Sequence, residues 1–333
     1  MAAEVDEIPM MISRQLAVLD AYRETGRMLK RDGVRGIITC ARGTSDHAAT
    51  FFKYLMETYV GLPVASIGPS VASIYGANLR LNGFSCLTFS QSGGSPDLVL
   101  LQRTAKKGGA RTIAILNVTE SPVGNDADHI LPILAGPEKA VAATKSFVGM
   151  LVASLGLVAG YRADNDIVGA LADLPDLTRD ALKCDWSVAM QLAQNRSLYC
   201  VGRGFNMAIA LEAALKIKEI CCLHAEAYSA AELLHGPVRL ADERFGALVF
   251  GTQGCARKTL TEAYMRLRRD GASAYLVGSV PELSTLPVTS TNNEILEPVL
   301  QVVAFYRFVE NLSVAMGHNP DAPTGLRKVT ETV

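Results

Sequence analysis

The sequence has no excess of either charge: 32 Lys and Arg residues stand against 33 Asp and Glu residues among 333, a formal net charge of −1. Without a basic surplus, a protein has little electrostatic attraction for nucleic acid or for an anionic membrane, and we expect neither as a partner. Long apolar runs are also missing, since the most apolar stretch, Val148–Ala159, is shorter than the ~20 residues that cross a bilayer. The acidic N-terminus, with Glu4, Asp6 and Glu7, differs from the basic start of a secretory signal.

Cysteines are few and odd in number: the seven present match neither a CxxC zinc site nor a disulfide framework. We therefore expect reduced, mostly buried thiols in a cytoplasmic protein, and neither a metal nor another cofactor. Hydrophobic residues make up 49% and charged residues 20% of the chain, a composition that excludes wholesale disorder. At ~150 residues per domain, the length predicts two domains.

The chain contains an internal repeat. Ile37–Ser45 matches Leu198–Asn206, and Thr88–Gly93 matches Val249–Gly254, in both cases 161 residues further along. Two separate matches at one offset are harder to obtain by chance than either alone, and the period far exceeds the 20–50 residues of solenoid repeats. The repeat indicates two homologous domains.

Each half alternates β-rich runs with helical stretches. Gly36–Cys40, Cys86–Phe89 and Thr112–Leu116 are apolar and β-branched, which is typical of strands buried on both faces. Asp46–Val60 and Asp97–Gly108, between them, have helical spacing. This alternation predicts an α/β fold in which each domain is a parallel sheet flanked by helices on both faces, a three-layer αβα arrangement. Ligands of such sheets bind beyond the carboxyl ends of the strands.

Five segments make up the predicted organisation. Residues 10–30 predict one amphipathic helix, and Pro175 interrupts the stretch between the halves. The segments are an N-terminal helical segment (1–34), a first domain (35–163), a helical connector (164–194), a second domain (195–318) and a C-terminal tail loop (319–333).

A polar turn lies between the second predicted strand and the following helix. Ser90-Gln91-Ser92-Gly93-Gly94-Ser95 offers hydroxyls, main-chain N–H groups and the positive end of a helix dipole, which together suit a phosphate. The turn equally fits a helix N-cap with a flexible linker. Thr44 and Ser45, after the first strand, either join the same anion site or only cap their helix. No Gly-Lys-Ser/Thr follows, so nucleoside triphosphate hydrolysis is not expected.

Three charged residues share one stripe of a predicted helix over 206–222. Glu212, Lys216 and Glu219 follow one another at spacings of four and three. They form either an exposed ladder of ion pairs or a partly buried site where pKa values can be tuned. The other residues of this helix are mostly apolar, which favours burial.

Two histidines and two glutamates follow within 12 residues: His224, Glu226, Glu232 and His235. Their spacing matches no zinc motif, so we expect no metal site there. His235 precedes Gly236-Pro237 at an element boundary, and it is either a structural loop residue or a side chain presented to a pocket.

Taken in order, these motifs resemble the SIS (sugar isomerase) superfamily, in particular the isomerase half of glutamine–fructose-6-phosphate amidotransferase and stand-alone glucosamine-6-phosphate deaminases. The resemblance implies two tandem SIS domains and a phosphosugar ligand, a hexosamine 6-phosphate or a related compound. It runs from about residue 35 to the end and rests on Arg42–Ser45, Ser90–Gly93, Val141–Lys145, Ala210–Glu219, His224–Glu226, Glu232–Pro237 and Asn319–Pro323.

Binding roles follow from the resemblance. It implies that the sugar phosphate is bound by Ser45, Ser90, Gln91, Ser92 and Ser95. It also implies that Thr44 and Val141 contact the sugar, Val141 through its main chain.

Catalytic roles follow in the same way. The resemblance implies that Glu219 moves a proton between C1 and C2 of the sugar and that Lys216 lies near it. His235 would open the sugar ring in the neighbouring subunit's site, which implies a homodimer with shared active sites. Lys328 would contact the open-chain sugar or form a Schiff base with it.

The sequence departs from the amidotransferase pattern at two positions, with Thr324 in place of an arginine and Ala143 in place of a serine. Few residues precede Gly36, so we expect no glutaminase domain and no synthesis from glutamine. The expected reaction is conversion of glucosamine 6-phosphate to fructose 6-phosphate and ammonia. Two alternatives are a deglycase acting on an amino-acid adduct, a fructosamine 6-phosphate, and a non-catalytic sensor of sugar phosphates.

Overall fold

The computed structural model describes residues 1–278, 283, 285–291 and 293–328; the last five residues of the predicted tail loop lie outside these ranges. Its strands are β1 (Gly36–Cys40), β2 (Val64–Ser66), β3 (Phe84–Ser90), β4 (Arg111–Leu116), β5 (His129–Pro132), β6 (Ser197–Gly202), β7 (Ala225–Ser229), β8 (Phe245–Phe250) and β9 (Ser273–Val277).

Its α-helices are α1 (Ala2–Asp6), α2 (Ile8–Leu16), α3 (Leu19–Arg31), α4 (Thr44–Leu55), α5 (Ser70–Ser73), α6 (Pro96–Lys107), α7 (Pro122–Asp126), α8 (Lys145–Arg162), α9 (Asn165–Ala181), α10 (Asn206–Cys221), α11 (Ala230–Leu234), α12 (Arg257–Arg269) and α13 (Glu297–Ala315). A π-helical turn, Met56–Val60, extends α4, and two 3₁₀ segments occupy Ser187–Gln194 and Pro237–Leu240. Within the described ranges, no helix is both long enough and apolar enough to cross a membrane.

The chain divides into two compact units, and each unit contains one parallel sheet. Within the described residues, the β1–β5 unit comprises 10–138, 145–172 and 327–328. The β6–β9 unit comprises residues 1–9, 139–144 and 173–326. Each unit is therefore assembled from segments that are distant in the sequence.

In the β1–β5 unit, the strand order is β2-β1-β3-β4-β5 and all neighbours are parallel. Helices α4 and α8 pack together on one side, whereas α6 packs with α5 and α7 on the other, where its apolar residues join those of β1, β3 and β4 in one core. Helix α8 is buried almost all round and packs closely on α3. A Cβ atom at Gly160 would lie 2.0 Å from the carbonyl oxygen of Arg23, so glycine permits this approach.

The β6–β9 unit repeats this topology, with the strand order β7-β6-β8-β9. Helix α10 packs on one face and contacts α13, while α12 covers the other face together with α11. Leu260, Ala263 and Leu267 of α12 join β6, β8 and β9 in one core. Two three-layer α/β arrangements are thus present, as the sequence predicts.

The 161-residue offset holds beyond the two matching motifs. It relates β1 to β6, β2 to β7, β3 to β8, α6 to α12 and β4 to β9, each to within one or two residues at the start of the element. The prediction of a single helix over 10–30 is wrong, because the helix is interrupted between Leu16 and Leu19. Gln15, just before the break, is buried and donates hydrogen bonds to the Gly149 carbonyl and the Tyr22 hydroxyl, a tertiary interaction that local periodicity does not contain.

Candidate active site

Two polar loops leave neighbouring strands at the carboxyl edge of the β1–β5 sheet. After β1 the chain adds β2 on one side of β1 and then crosses back to add β3 on the other side, and open α/β sheets bind ligands at such a switch point. One loop joins β1 to α4, and the other, Gln91–Ser95, joins β3 to α6. Ser45, Gln91, Ser92 and Ser95 are half-buried, and Ser90 is buried. The predicted phosphate-binding residues therefore lie in or directly beside these two loops: Ser45 is in the first turn of α4, and Ser90 is the last residue of β3.

Hydroxyl groups organise the turn after β3. The Gly93 N–H donates to Ser90 Oγ at 2.9 Å, and the Gly94 N–H donates to Ser92 Oγ at 3.3 Å. Gly93 has a φ of 62°, and a Cβ there would lie 2.1 Å from Ser121 Oγ. The turn therefore needs glycine at position 93, both for its backbone conformation and for space.

An ion pair joins the two loops. Arg42 Nε, after β1, lies 3.0 Å from Asp97 Oδ2 in the first turn of α6. The Asp97 side chain is fully buried, while that of Arg42 is 52% exposed, so part of the guanidinium faces solvent beside the loops.

The hydroxyl residues of the two loops do not act as helix caps. Among the described residues, the Ser95 side chain accepts no hydrogen bond from the first turn of α6, and the N-cap of α4 is Gly43, which has no side chain. Helix capping alone does not explain these hydroxyl residues.

The three charged residues of α10 form a buried cluster in the β6–β9 unit. Lys216 Nζ lies 2.7 Å from Glu219 Oε2 and 3.3 Å from Glu212 Oε1. The Tyr306 hydroxyl donates to Glu212 Oε1 at 2.9 Å. Burial lowers the pKa of Lys216, but the two carboxylates outweigh it and hold the pKa above its usual value. Lys216 is thus a fixed cation between two anions.

Glu219 differs from its two partners in facing a cavity. Its side chain is 25% exposed, against 0% for Glu212 and 1% for Lys216. The cavity has a volume of about 510 Å³ and is formed by the end of α10 and the segment 317–326. Lys218, Cys222, His318, Asn319 and Thr324 also line it, so Thr324 borders the same space as Glu219.

In the β1–β5 unit, Lys328 contacts a buried acid, Glu138, that no sequence motif marks. Its Nζ donates to Glu138 Oε2 at 3.2 Å. Glu138 also accepts hydrogen bonds from Ser146 N at 3.1 Å and Ser146 Oγ at 2.8 Å, and its side chain is 0% exposed. Glu138 precedes the 141–145 motif by only three residues, but no local pattern links it to Lys328.

The remaining predicted residues are less tightly held. His235 is exposed at the C-terminal end of α11. The Val141 N–H donates to the Asp321 carbonyl at 3.0 Å, so a main-chain contact from Val141 to a ligand would use its carbonyl oxygen.

The other histidine and glutamate of the His224–His235 region have partners within the protein. His224 Nδ1 forms a hydrogen bond with Ser197 Oγ, and Glu226 accepts one from the Tyr228 hydroxyl. Among the described residues, no group of three or more His, Cys, Asp or Glu side chains could hold a metal ion.

Comparison with curated proteins gives relatives that are longer than this chain. The isomerizing glutamine–fructose-6-phosphate aminotransferase of Sulfurisphaera tokodaii is 31% identical over 306 residues, which cover 88% of this chain and 49% of that protein. The chain spans about half the length of the curated relatives it matches.

Two solved structures are similar over nearly their whole length. A candidate phosphosugar isomerase from Silicibacter pomeroyi is 40% identical, with a TM-score of 0.90 over 96% of this chain and 98% of that one. The C-terminal domain of glucosamine-fructose-6-phosphate aminotransferase from Francisella tularensis is 25% identical, with a TM-score of 0.86 over 96% and 97% of the two chains. The SIS domain family model matches residues 33–159 and 191–284, so the chain belongs to the SIS domain family.

Proposed function

We propose that the protein is a phosphosugar isomerase that deaminates glucosamine 6-phosphate, which reacts with water to give fructose 6-phosphate and ammonia. The observation that carries the proposal is Glu219, a carboxylate that borders a cavity while its other side is fixed by a buried ammonium. A partly solvated carboxylate in a fixed position is suited to removing a proton and returning it to a neighbouring carbon. The phosphosugar enzymes among the similar proteins support the same class of reaction.

In this reaction, Glu219 removes the C2 proton of the open-chain amino sugar while O1 takes up a proton from solvent, which gives an enolamine. Glu219 then delivers its proton to C1 as the amino nitrogen releases one proton to solvent. The resulting imine at C2 adds water and expels ammonia, which leaves the ketone of fructose 6-phosphate. The Lys216 ammonium, 2.7 Å from Glu219 Oε2, holds this side chain in one position for both proton transfers. The sugar phosphate binds at Ser45, Ser90, Gln91, Ser92 and Ser95, with Thr44 and the Val141 carbonyl contacting the sugar.

Two further residues complete the proposal. His235 of the partner subunit opens the sugar ring. Lys328 either binds the open-chain form or attacks the C2 imine in place of water, which expels ammonia and leaves a Schiff base that water hydrolyses to the ketone. The enzyme would then act as a homodimer in the cytoplasm. Size-exclusion chromatography tests the dimer, and mixing Glu219→Gln with His235→Ala chains tests the shared site. Shared sites predict partial recovery of activity in the mixture, and no recovery contradicts them.

Ammonia release from glucosamine 6-phosphate tests the reaction. We expect Glu219→Gln to reduce kcat by at least about 10³-fold, because the amide cannot accept the C2 proton. Glu262→Gln, which changes an exposed glutamate on α12, is the matched control and should retain full activity. Undiminished ammonia release by the Glu219 variant would exclude the assigned base.

The cavity beside Glu219 favours a second candidate, the deglycase. The exposed Lys218 lines this cavity and could pair with the carboxylate of an amino-acid substituent on the sugar nitrogen. Turnover should be compared on glucosamine 6-phosphate and on a fructosamine 6-phosphate that carries an amino acid. Faster turnover of the adduct, lowered by Lys218→Met, would favour the deglycase. A thermal shift with hexose 6-phosphates but no product from either substrate would indicate a sensor.

A further inference from the structure

The second copy of the repeat contains a counterpart of the serine loop. The 161-residue offset places Gly251–Ala256, between β8 and α12, at the position that Ser90–Ser95 occupies between β3 and α6. Both loops begin where a central parallel strand ends, and both lead into a long helix. The second loop has a hydroxyl at Thr252 and a glycine at Gly254, so it retains donors of the type that bind oxyanions.

A carboxylate from a distant helix is bound by these donors. Thr252 Oγ1 donates to Glu297 Oε2 at 2.6 Å, and the Gln253 N–H lies 3.3 Å from both carboxylate oxygens of Glu297. The Gly254 N–H donates to Thr252 Oγ1 at 3.1 Å, whereas the matching Gly93 N–H in the first copy donates to Ser90 Oγ, one position earlier in its loop. Glu297 is only 4% exposed and lies 45 residues from Thr252.

The rest of the loop is fixed around this carboxylate. The Gly251 carbonyl accepts hydrogen bonds from Asn206 Nδ2 at 2.8 Å and from Gln301 Nε2 at 2.6 Å. A Cβ at Gly254 would lie 1.8 Å from Glu294 Oε2, so a second carboxylate also occupies the space beside the loop. A buried carboxylate is stable only where hydrogen-bond donors replace its water, and this loop supplies them.

We propose that the β8–α12 loop, Gly251–Ala256, is an oxyanion-binding site whose resident ligand is the Glu297 carboxylate. The comparison with the first copy rests on the proposed function, in which the Ser90–Ser95 loop binds the phosphate of the substrate, whereas the second copy fills the corresponding position from within the chain. On that basis the chain binds one phosphosugar rather than two. Removing the Glu297 side chain should leave a vacancy that accepts a small carboxylate, formate or acetate, from solution.

Chemical rescue tests this proposal in the full chain without any sugar. We expect Glu297→Ala to unfold at a lower temperature than wild type in a chloride buffer. Added formate should raise its Tm by roughly 5 °C in a saturable manner, because a ligand that binds only the folded state stabilises it. The wild type and Glu262→Ala should show no saturable response to formate. Adding Thr252→Val to the Glu297 variant should abolish the rescue.

The proposal would be overturned if formate raised the Tm of Glu297→Ala no more than it raises the Tm of wild type. If Glu297→Ala is recovered only as aggregate, refolding with and without formate replaces the Tm measurement. Soluble protein recovered only when formate is present supports the proposal. Failure to recover soluble protein in either condition contradicts it. The readout involves no turnover, so it is independent of the proposed enzymatic function.

Discussion

Lys328 and Glu138 are joined by a hydrogen bond of 3.2 Å although 190 residues separate them in the sequence. The acceptor is fully buried and is oriented by two hydrogen bonds from Ser146, whereas the Lys328 side chain is 24% exposed. The Lys328 amine is therefore held by Glu138, which is itself fixed inside the unit by Ser146. In the proposed reaction, Glu138 is a positioning residue for Lys328.

Replacing Glu138 tests this role. We expect Glu138→Gln to lower kcat for ammonia release by about tenfold or more, because an amide binds an ammonium less strongly than a carboxylate does. Glu138→Asp should recover part of the loss. Glu24→Gln, on the surface of α3, is the control, and its kinetics should match wild type. Wild-type kcat in Glu138→Gln would show that the contact only holds the tail in place.

The serine loop should act on substrate binding more than on chemistry. Ser90→Ala removes the acceptor of the Gly93 N–H and loosens the turn that is proposed to hold the phosphate. We expect KM to rise about tenfold, equivalent to ~1.4 kcal/mol, with kcat nearly unchanged. Steady-state kinetics with glucosamine 6-phosphate measure the effect, with the exposed Ser187→Ala as the control. A fall in kcat at constant KM would argue against a phosphate site.

The buried cluster of α10 should contribute strongly to stability. Glu212→Gln leaves the Lys216 ammonium buried with only Glu219 as a charged partner in the cluster, and removing one member of a buried ion pair is costly. We expect the free energy of unfolding to fall by about 2–4 kcal/mol. Urea unfolding followed by circular dichroism measures this loss, and the exposed Glu262→Gln should change stability by less than ~0.5 kcal/mol. Equal stabilities of the two variants would contradict the buried arrangement.

Alkaline pH should destabilise the β1–β5 unit through Tyr22. Burial raises the pKa of this phenol from 10.0 to about 12, while the hydrogen bond with Gln15 acts in the opposite direction. Between these values the unfolded chain has lost the phenol proton and the folded chain retains it, so stability is full below pH 10 and falls as the pH rises. The loss should be ~2 kcal/mol at pH 12 and approach its limit of ~2.7 kcal/mol above that pH.

Urea unfolding at increasing pH tests the Tyr22 prediction. Tyr22→Phe should be less stable at neutral pH, since the Pro132 carbonyl loses its donor, but its stability should fall less steeply above pH 10. Tyr75→Phe, which changes an exposed phenol, should keep the wild-type slope. Parallel curves for Tyr22→Phe and wild type would assign the alkaline loss to other groups.

Patterns with a short range were predictable from the sequence. Alternating strands and helices, the 161-residue repeat and the common face of Glu212, Lys216 and Glu219 follow from periodicity, which depends on local geometry. The boundaries of β1 were also predicted to the residue. Burial of the α10 cluster followed from the apolar residues around it, because so few polar positions remained on that helix.

Contacts between distant segments were not predictable in the same way. Glu138 and Lys328, or Thr252 and Glu297, meet only because the fold brings them together, and neither pair has a spacing that signals contact. The break between α2 and α3 depends on Gln15 reaching Gly149, which competes with the helical pattern of residues 10–30. Tertiary hydrogen bonds overrode or supplemented local preference at these positions.

The interleaved composition of the units has a consequence for biosynthesis. The β1–β5 unit includes Arg327 and Lys328, while residues 1–9 belong to the β6–β9 unit. When only the first half of the chain has been synthesised, all five strands of the β1–β5 unit are present but Arg327 and Lys328 are not. Residues 1–9 are synthesised before most of the unit to which they belong. Each unit can therefore be completed only when both ends of the chain are available, and a gene cut between the repeats would encode two incomplete units.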